Sequence, residues 1–208
     1  MQHILPTERS GLHGGFAAMT VYDFDNTIYR GESSIDFFRF CLRRKPSLVR
    51  FLPIVFWKLL RYKRCRTTAD EIIHWGEHVL RAFLSEVGDV DELVNAFWDS
   101  HEDRIKPFYR LQQKPDDLIL SGSPELLLCE ICRRLGVHRY LGTRIDLDTG
   151  TVKSLCFAEN KVRIFRDAYP NESVDAFYSD SLHDLPMMRL ADRAYLVHGS
   201  RIELWNGS

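Results

Sequence analysis

Two aspartates one residue apart, Asp23 and Asp25, close a short apolar run and lead into Asn26, Thr27, Ile28 and Tyr29. Alternate residues of a strand share a face, so the two carboxylates point the same way if the strand continues through them. Like charges that close are unfavourable unless a cation, a proton or a substrate changes the balance. The stretch also reads as a polar strand end entering a turn, because Asp and Asn favour turns. Partners downstream separate the two readings. Leu118-Ile119-Leu120-Ser121 has the pattern of a buried strand, and Ser121-Gly122-Ser123 ahead of a helix offers hydroxyls and backbone N–H groups to an anion. Val174-Asp175-Ala176-Phe177-Tyr178 is another strand, running into Ser179-Asp180-Ser181 with Asp184 just beyond. Lys161, in a loop-to-helix segment, can bring positive charge to the same anion.

These groups converge only if their strands are parallel neighbours, since ligands bind outside the carboxyl ends of an open parallel sheet. The chain from Asp117 onward alternates strands and helices, which predicts such an α/β sheet. Tyr140 to Lys153 reads as two strands around the turn Asp148-Thr149-Gly150. Residues 33–108 carry helical spacing and no strand signal. Ser33-Ser34 can cap a first helix, and Pro46 opens a second that Pro53 kinks or interrupts. A third helix starts near Thr67, and a fourth holds Leu93, Val94, Phe97 and Trp98 and stops before Pro107. The expected organisation is a flexible leader over 1–18, a core from 19–32 and 109–208, and a helical domain inserted over 33–108.

Composition narrows the function classes. With 208 residues, 45% hydrophobic and 27% charged, the chain is an ordinary globular length and balance, and a net charge of -1 gives no footprint for nucleic acid. Five cysteines do not make a secreted disulfide framework, so the expected setting is cytoplasmic. Cys129 and Cys132 form one CxxC inside a helical pattern with no second metal-binding pair, and read as two small buried residues. The most apolar run, from Phe51 to Leu60, is too short to span a bilayer and contains Lys58. Arg39, Arg43, Arg44, Lys45, Arg50 and the basic residues from Lys58 to Arg66 read as a solvated helical face. The alternative is a surface that attracts an anionic substrate or makes weak contact with an anionic membrane.

Four carboxylates at one sheet edge repel, and a hard divalent cation with oxygen ligands is the usual compensation, Mg²⁺ fitting best. In order, Asp23-Phe24-Asp25-Asn26-Thr27, Ser121-Gly122-Ser123, Lys161 and Ser179-Asp180-Ser181-Leu182-His183-Asp184 resemble the four motifs of the haloacid dehalogenase (HAD) superfamily. The helical insertion after the first motif, with the extended second and fourth motifs, looks like its subfamily IB, the phosphoserine phosphatase-like enzymes. The resemblance covers everything from Met19 onward. It implies a Rossmann-like parallel sheet with an all-helical C1-type cap inserted after the first strand. It also implies a Mg²⁺-dependent phosphatase acting on a small phosphorylated metabolite through an aspartyl-phosphate.

Carried over by position, Asp23 is the nucleophile and Asp25 the acid and base. Asp23, the main-chain carbonyl of Asp25 and Asp180 hold Mg²⁺. Ser121, Gly122 and Lys161 hold the phosphoryl oxygens, Asp184 orients Lys161 or a metal-bound water, and Thr27 shapes the loop. Asn26 stands where the family often has Gly, a mild departure because Asn tolerates left-handed backbone. His183 replaces a common Asn, and either contacts phosphate or substrate or is a loop residue without a direct role. Glu32 matches a glutamate that faces a substrate amine, although a carboxylate at a helix start is equally well explained by the helix dipole. A true phosphoserine phosphatase, a phosphotransferase using the same residues, and a membrane- or partner-binding module with a vestigial site are the alternatives.

Overall fold

In the computed structural model, which describes residues 17–51, 77 and 80–207, the apolar run before Asp23 is strand β1 (Ala17–Tyr22). It lies mid-sheet between β2 (Leu118–Pro124) and β5 (Glu172–Ser179), parallel to both. β3 (Arg139–Asp146) and β6 (Ala191–His198) extend the sheet in parallel on either side. Edge strands β4 (Thr151–Ser154) and β7 (Arg201–Leu204) return antiparallel, giving the order β4-β3-β2-β1-β5-β6-β7. The fold is the mostly parallel α/β sheet that strand–helix alternation predicts. β1 and β5 are parallel neighbours at the centre, so the loops leaving their carboxyl ends meet there.

Side chains alternate between two buried layers, as the strand period requires. Val21, Leu118, Leu120 and Phe177 join one apolar cluster, with Phe165, Met187 and Met188 from helices on that face. Tyr22 and Ile119 join the other, which runs through Phe24, Ile28 and Tyr29 into Phe37, Phe83, Phe97 and Trp98. Tyr22, Tyr178 and Tyr195 stack across β1, β5 and β6, with ring centroids 4.7 and 4.6 Å apart.

Helix α1 (Ser33–Arg44) leaves directly from the loop after β1, and Pro46–Phe51 follows as a 3₁₀ turn. Residues 80–87 are helical and precede α2 (Val90–His101), whose N-cap Asp89 accepts the Glu92 N–H. The run from Lys58, the third helix start and Pro53 lie outside the described residues. α2 packs on α4 (Glu125–Leu135), and the fully buried Trp98 donates its indole N–H to the Leu127 carbonyl at 3.0 Å. Trp98 also meets Phe24 and Tyr29 edge-on, at 5.9 and 5.6 Å. Phe24, the residue between the two aspartates, is thus anchored from α2.

Several local expectations change. The fourth helix does stop before Pro107, at His101 with a 3₁₀ turn to Arg104, but helical structure continues past 108: Pro107 opens α3 (Pro107–Gln112), using proline's fit to a first helical turn. Ser33 and Ser34 are not caps; the N-cap is Glu32, without a side-chain cap bond, and Ser33 is already helical. Cys132 is buried but Cys129 is exposed, because the two point in different directions from α4. Much of the basic face is engaged locally. Lys45 donates to the carbonyls of Glu86 and Val87, Arg50 pairs with Glu86, and the Arg44 guanidinium lies 4.5 Å over the Phe40 ring. Among the described residues, no helix is long and apolar enough to cross a membrane.

One buried carboxyl outside the site predicts a pH effect. Asp117, just before β2, is 2% exposed, and burial lifts its pKa from 3.8 to about 6 although the Lys114 N–H bonds it at 2.8 Å. A folded-state pKa above the unfolded one means that stability falls as pH rises from about 4 through 6. The difference is worth about 3 kcal/mol above that window. Asp117→Asn keeps an acceptor for Lys114, so it should be more stable than the parent at pH 7.5 and about equal at pH 4. Urea unfolding at both pH values checks this, and an equal offset at both would contradict it.

Candidate active site

The strand expectation for Asp23 and Asp25 needs adjustment, because β1 ends at Tyr22. Asp23 keeps one ladder bond, its N–H donating to the Tyr178 carbonyl at 2.8 Å. The chain then turns, with Ile28 and Tyr29 N–H groups donating to the Phe24 carbonyl and Asn26 at φ 56°. That left-handed position is one Asn adopts at little cost. The turn, not strand alternation, sends both carboxylates to the same cavity of about 340 Å³. Glu32, Ser121, Gly122, Lys161, Asp180, His183 and Asp184 also line it.

Lys161, on α5 (Glu159–Ala168), is 3% exposed and donates to Asp23 Oδ1 and Asp184 Oδ2, each at 2.7 Å. Asp184 is held in turn by Ser179, whose hydroxyl donates to the same Oδ2 at 2.9 Å. Thr27 is fully buried and links β1's loop to β5's end. Its hydroxyl contacts Asp23 Oδ2 at 3.2 Å and Asp180 Oδ1 at 3.4 Å, and accepts the Asp180 N–H at 2.9 Å. Ser121 Oγ accepts the Ser123 N–H at 3.1 Å, which leaves the Ser121 proton available to another acceptor. Gly122 is exposed in the cavity.

Asp25 is gripped at both oxygens. Oδ1 accepts the Ser33 N–H at 2.8 Å, so the carboxylate serves one of the orphan donors at the start of α1. Oδ2 accepts the Ser123 hydroxyl at 2.5 Å. Glu32 accepts the Asn26 side-chain amide at 2.5 Å, and His183 stands beside Phe157 with ring centroids 5.8 Å apart.

The electrostatics show a site short of positive charge. Burial pushes the carboxyls of Asp23, Asp25, Glu32 and Asp180 above their ordinary range; Lys161 opposes this at Asp23, and the Ser123 and Ser33 bonds oppose it at Asp25. Burial also works against the Lys161 charge, but Asp23 and Asp184 outweigh it and raise its pKa. On the cavity wall, among the described residues, Lys161 alone brings an ammonium to several carboxylates. Asp23 and Asp180, both touching Thr27, offer carboxylate oxygens of the kind a hard divalent cation takes. Among the described residues no three His, Cys, Asp or Glu side chains group as a metal cluster, so such an ion needs carbonyl or substrate oxygens as well.

Two groups at the site had no sequence signal. Lys106 is buried, donates its ammonium to the Asn26 carbonyl, and has its pKa lowered by burial against the pull of Asp180. It precedes Pro107 in a stretch without motif character. The Ser33 hydroxyl turns to Ser123, 90 residues away, which local helix-start chemistry does not reveal.

Comparison with known proteins bears on this arrangement. Residues 20–189 match the family described as haloacid dehalogenase-like hydrolase. A Mycobacterium tuberculosis protein named as a probable phosphatase is 34% identical over 95 residues, covering 41% of this chain and 33% of that protein, so the match spans about a third of the relative's length. A Bordetella pertussis protein of unknown function has a similar fold, with TM-score 0.66 and 19% identity over 86% of this chain and 89% of that one. A phosphoserine phosphohydrolase-like protein from Francisella tularensis superposes with TM-score 0.51 and 16% identity, covering 85% of each chain.

Proposed function

The chain belongs to the haloacid dehalogenase-like hydrolase family, and on that premise we propose that it is a Mg²⁺-dependent phosphatase of small phosphomonoesters. The observation that carries the reading is the pairing of Asp23 with Lys161 beside an Asp25 held at both oxygens, on one cavity. Asp23 attacks phosphorus, forming an acyl-phosphate as the P–O ester bond breaks and Asp25 gives its proton to the departing alkoxide. Water then attacks the same phosphorus, its proton passes to Asp25, and phosphate leaves Asp23. Ser121, the Gly122 N–H and Lys161 hold the phosphoryl oxygens, while Asp184 and Ser179 keep Lys161 in place. Asp23, Asp180 and the Asp25 carbonyl would hold Mg²⁺, which when bound neutralises charge on the phosphoryl oxygens.

The finer assignment to subfamily IB rests on the helical insertion after Thr27 and on the extended second and fourth motifs. Glu32 on the cavity wall favours, as a second reading, an ester bearing an amine such as phosphoserine. A cytoplasmic setting is part of this reading and rests on the five cysteines of the sequence, too few and odd in number for a secreted disulfide framework. A panel of phosphorylated metabolites, assayed with Mg²⁺ and then with excess EDTA, tests the proposal. At least one ester should be hydrolysed, the rate should fall at least about a hundredfold with EDTA, and Mg²⁺ should restore it. Hydrolysis indifferent to chelation would remove the metal from the reading, and preference for phosphoserine over other esters would favour the second.

A further inference from the structure

The second motif's Ser123 is not free to meet an anion. Its single proton goes to Asp25 Oδ2 at 2.5 Å. A hydroxyl has one donor and two lone pairs, so while the Ser123 proton is on Asp25 the Ser33 hydroxyl at 2.7 Å and the Ser34 hydroxyl at 3.2 Å meet Ser123 as donors. Ser33 and Ser123 are 0% and 2% exposed, in a protein where burying a hydroxyl without a partner is costly. Ser33 also gives its main-chain N–H to Asp25 Oδ1 at 2.8 Å. The carboxyl is thus held on one oxygen by the first residue of α1, and on the other by β2 through a hydroxyl that α1 itself orders. The Ser123 position is fixed by its own N–H on Ser121 Oγ.

From this geometry we propose that Ser123, backed by Ser33, is the positioning residue of the proton donor in the first chemical step. The inference rests on the phosphatase reading above. Ser123 touches neither phosphorus nor leaving group; it sets the plane of the Asp25 carboxyl so that its proton meets the departing oxygen as the P–O bond breaks. Two fixed donors remove the rotation about the carboxyl that would otherwise be lost at each turnover. Because α1 supplies both the Ser33 N–H and the hydroxyl behind Ser123, a shift of that helix would misaim the acid without moving Asp23.

A leaving-group series distinguishes positioning from mere support. kcat/KM reports only steps up to the phosphoenzyme, and a poor leaving group needs the proton whereas an acidic phenol does not. Ser123→Ala should lower kcat/KM by about ten- to a hundredfold for alkyl phosphates and by less than about threefold for aryl phosphates of acidic phenols. Ser33→Ala keeps its N–H on Asp25 and should lose only about threefold on the alkyl esters. Asp25→Asn, run in the same series, should show the steepest dependence on leaving group. If Ser123→Ala does not fold, Ser123→Cys, of similar size but a weak donor, carries the comparison. An equal loss on every ester, or none, for the Ser123 variant while Asp25→Asn steepens the series would overturn the positioning role and leave the phosphatase reading standing. A flat series for Asp25→Asn would overturn both.

Discussion

Asp23→Asn should fold normally and lose at least about ten-thousandfold in turnover, the scale expected when a covalent nucleophile is removed. The amide oxygen can still accept from Lys161 in place of Oδ1, and the amide nitrogen can donate to Thr27 Oγ1, so both contacts of the wild-type carboxylate survive. Lys161 keeps its second partner, Asp184, and remains paired. What disappears is the anionic oxygen that the proposed mechanism joins to phosphorus. The measurement is kcat on the best ester of the panel with Mg²⁺, alongside trapping of an acyl-phosphate that hydroxylamine cleaves. The parent should give the trapped species and the variant should not. A variant within about tenfold of the parent rate would end the assignment of Asp23 as nucleophile, whatever its stability.

Lys161→Met should lose both activity and stability, and the stability loss should depend on pH. Lys161 Nζ lies between two carboxylates at 2.7 Å, nearly out of solvent. Methionine fills similar volume but leaves Asp23 and Asp184 facing each other without a cation. Removing one partner of a buried ionic group costs about 3–5 kcal/mol. The folded variant can reduce that cost by taking up a proton, so without Lys161 the carboxyl pKa rises further above the unfolded value than in the parent, and more stability is lost as pH rises. The gap between parent and variant should therefore be small near pH 5 and reach about 3 kcal/mol near pH 8. Urea unfolding at the two values reads it. A gap of the same size at both would mean that packing, not charge, accounts for Lys161. On the proposed role of Lys161 in holding the phosphoryl oxygens, turnover should fall at least about a hundredfold.

How much of the fold and site was legible in the sequence depended on whether a group's role is set by where its strand ends or by what it meets across the fold. Asp23, Ser121 and Asp180 lie at the ends of apolar runs that can only be inner strands, so their convergence comes from parallel topology. Asn26 was legible for a local reason, since a left-handed turn residue favours Asn. Ser123 was visible as a hydroxyl in a glycine-containing motif, but its partner is Asp25, 98 residues away, and its orientation depends on packing. The same holds for Lys106, which has the composition of a surface lysine until the chain folds it onto the Asn26 carbonyl. Cys129 and Cys132 show the limit of spacing: three residues along α4 are enough to separate exposed from buried. The previous helix does end before Pro107, and residue type left unseen only the new helix that Pro107 opens, because proline suits a first turn as well as it bars a continuing one.

The aromatic cluster around Trp98 has a bearing on how this protein can fail. Phe24 sits between the two active-site aspartates and shares its packing with Trp98, Tyr29 and Phe97. The loop that carries the two carboxylates is therefore anchored in the aromatic core through Phe24. Many enzymes carry a loosely packed site on a firm scaffold and can open one without the other. Here Phe24 is fully buried against Trp98 of α2, so exposing that side of its ring means breaking the contact between α2 and the loop. Damage to that cluster, even at a site that never sees substrate, would reduce turnover at temperatures where most of the chain is still folded.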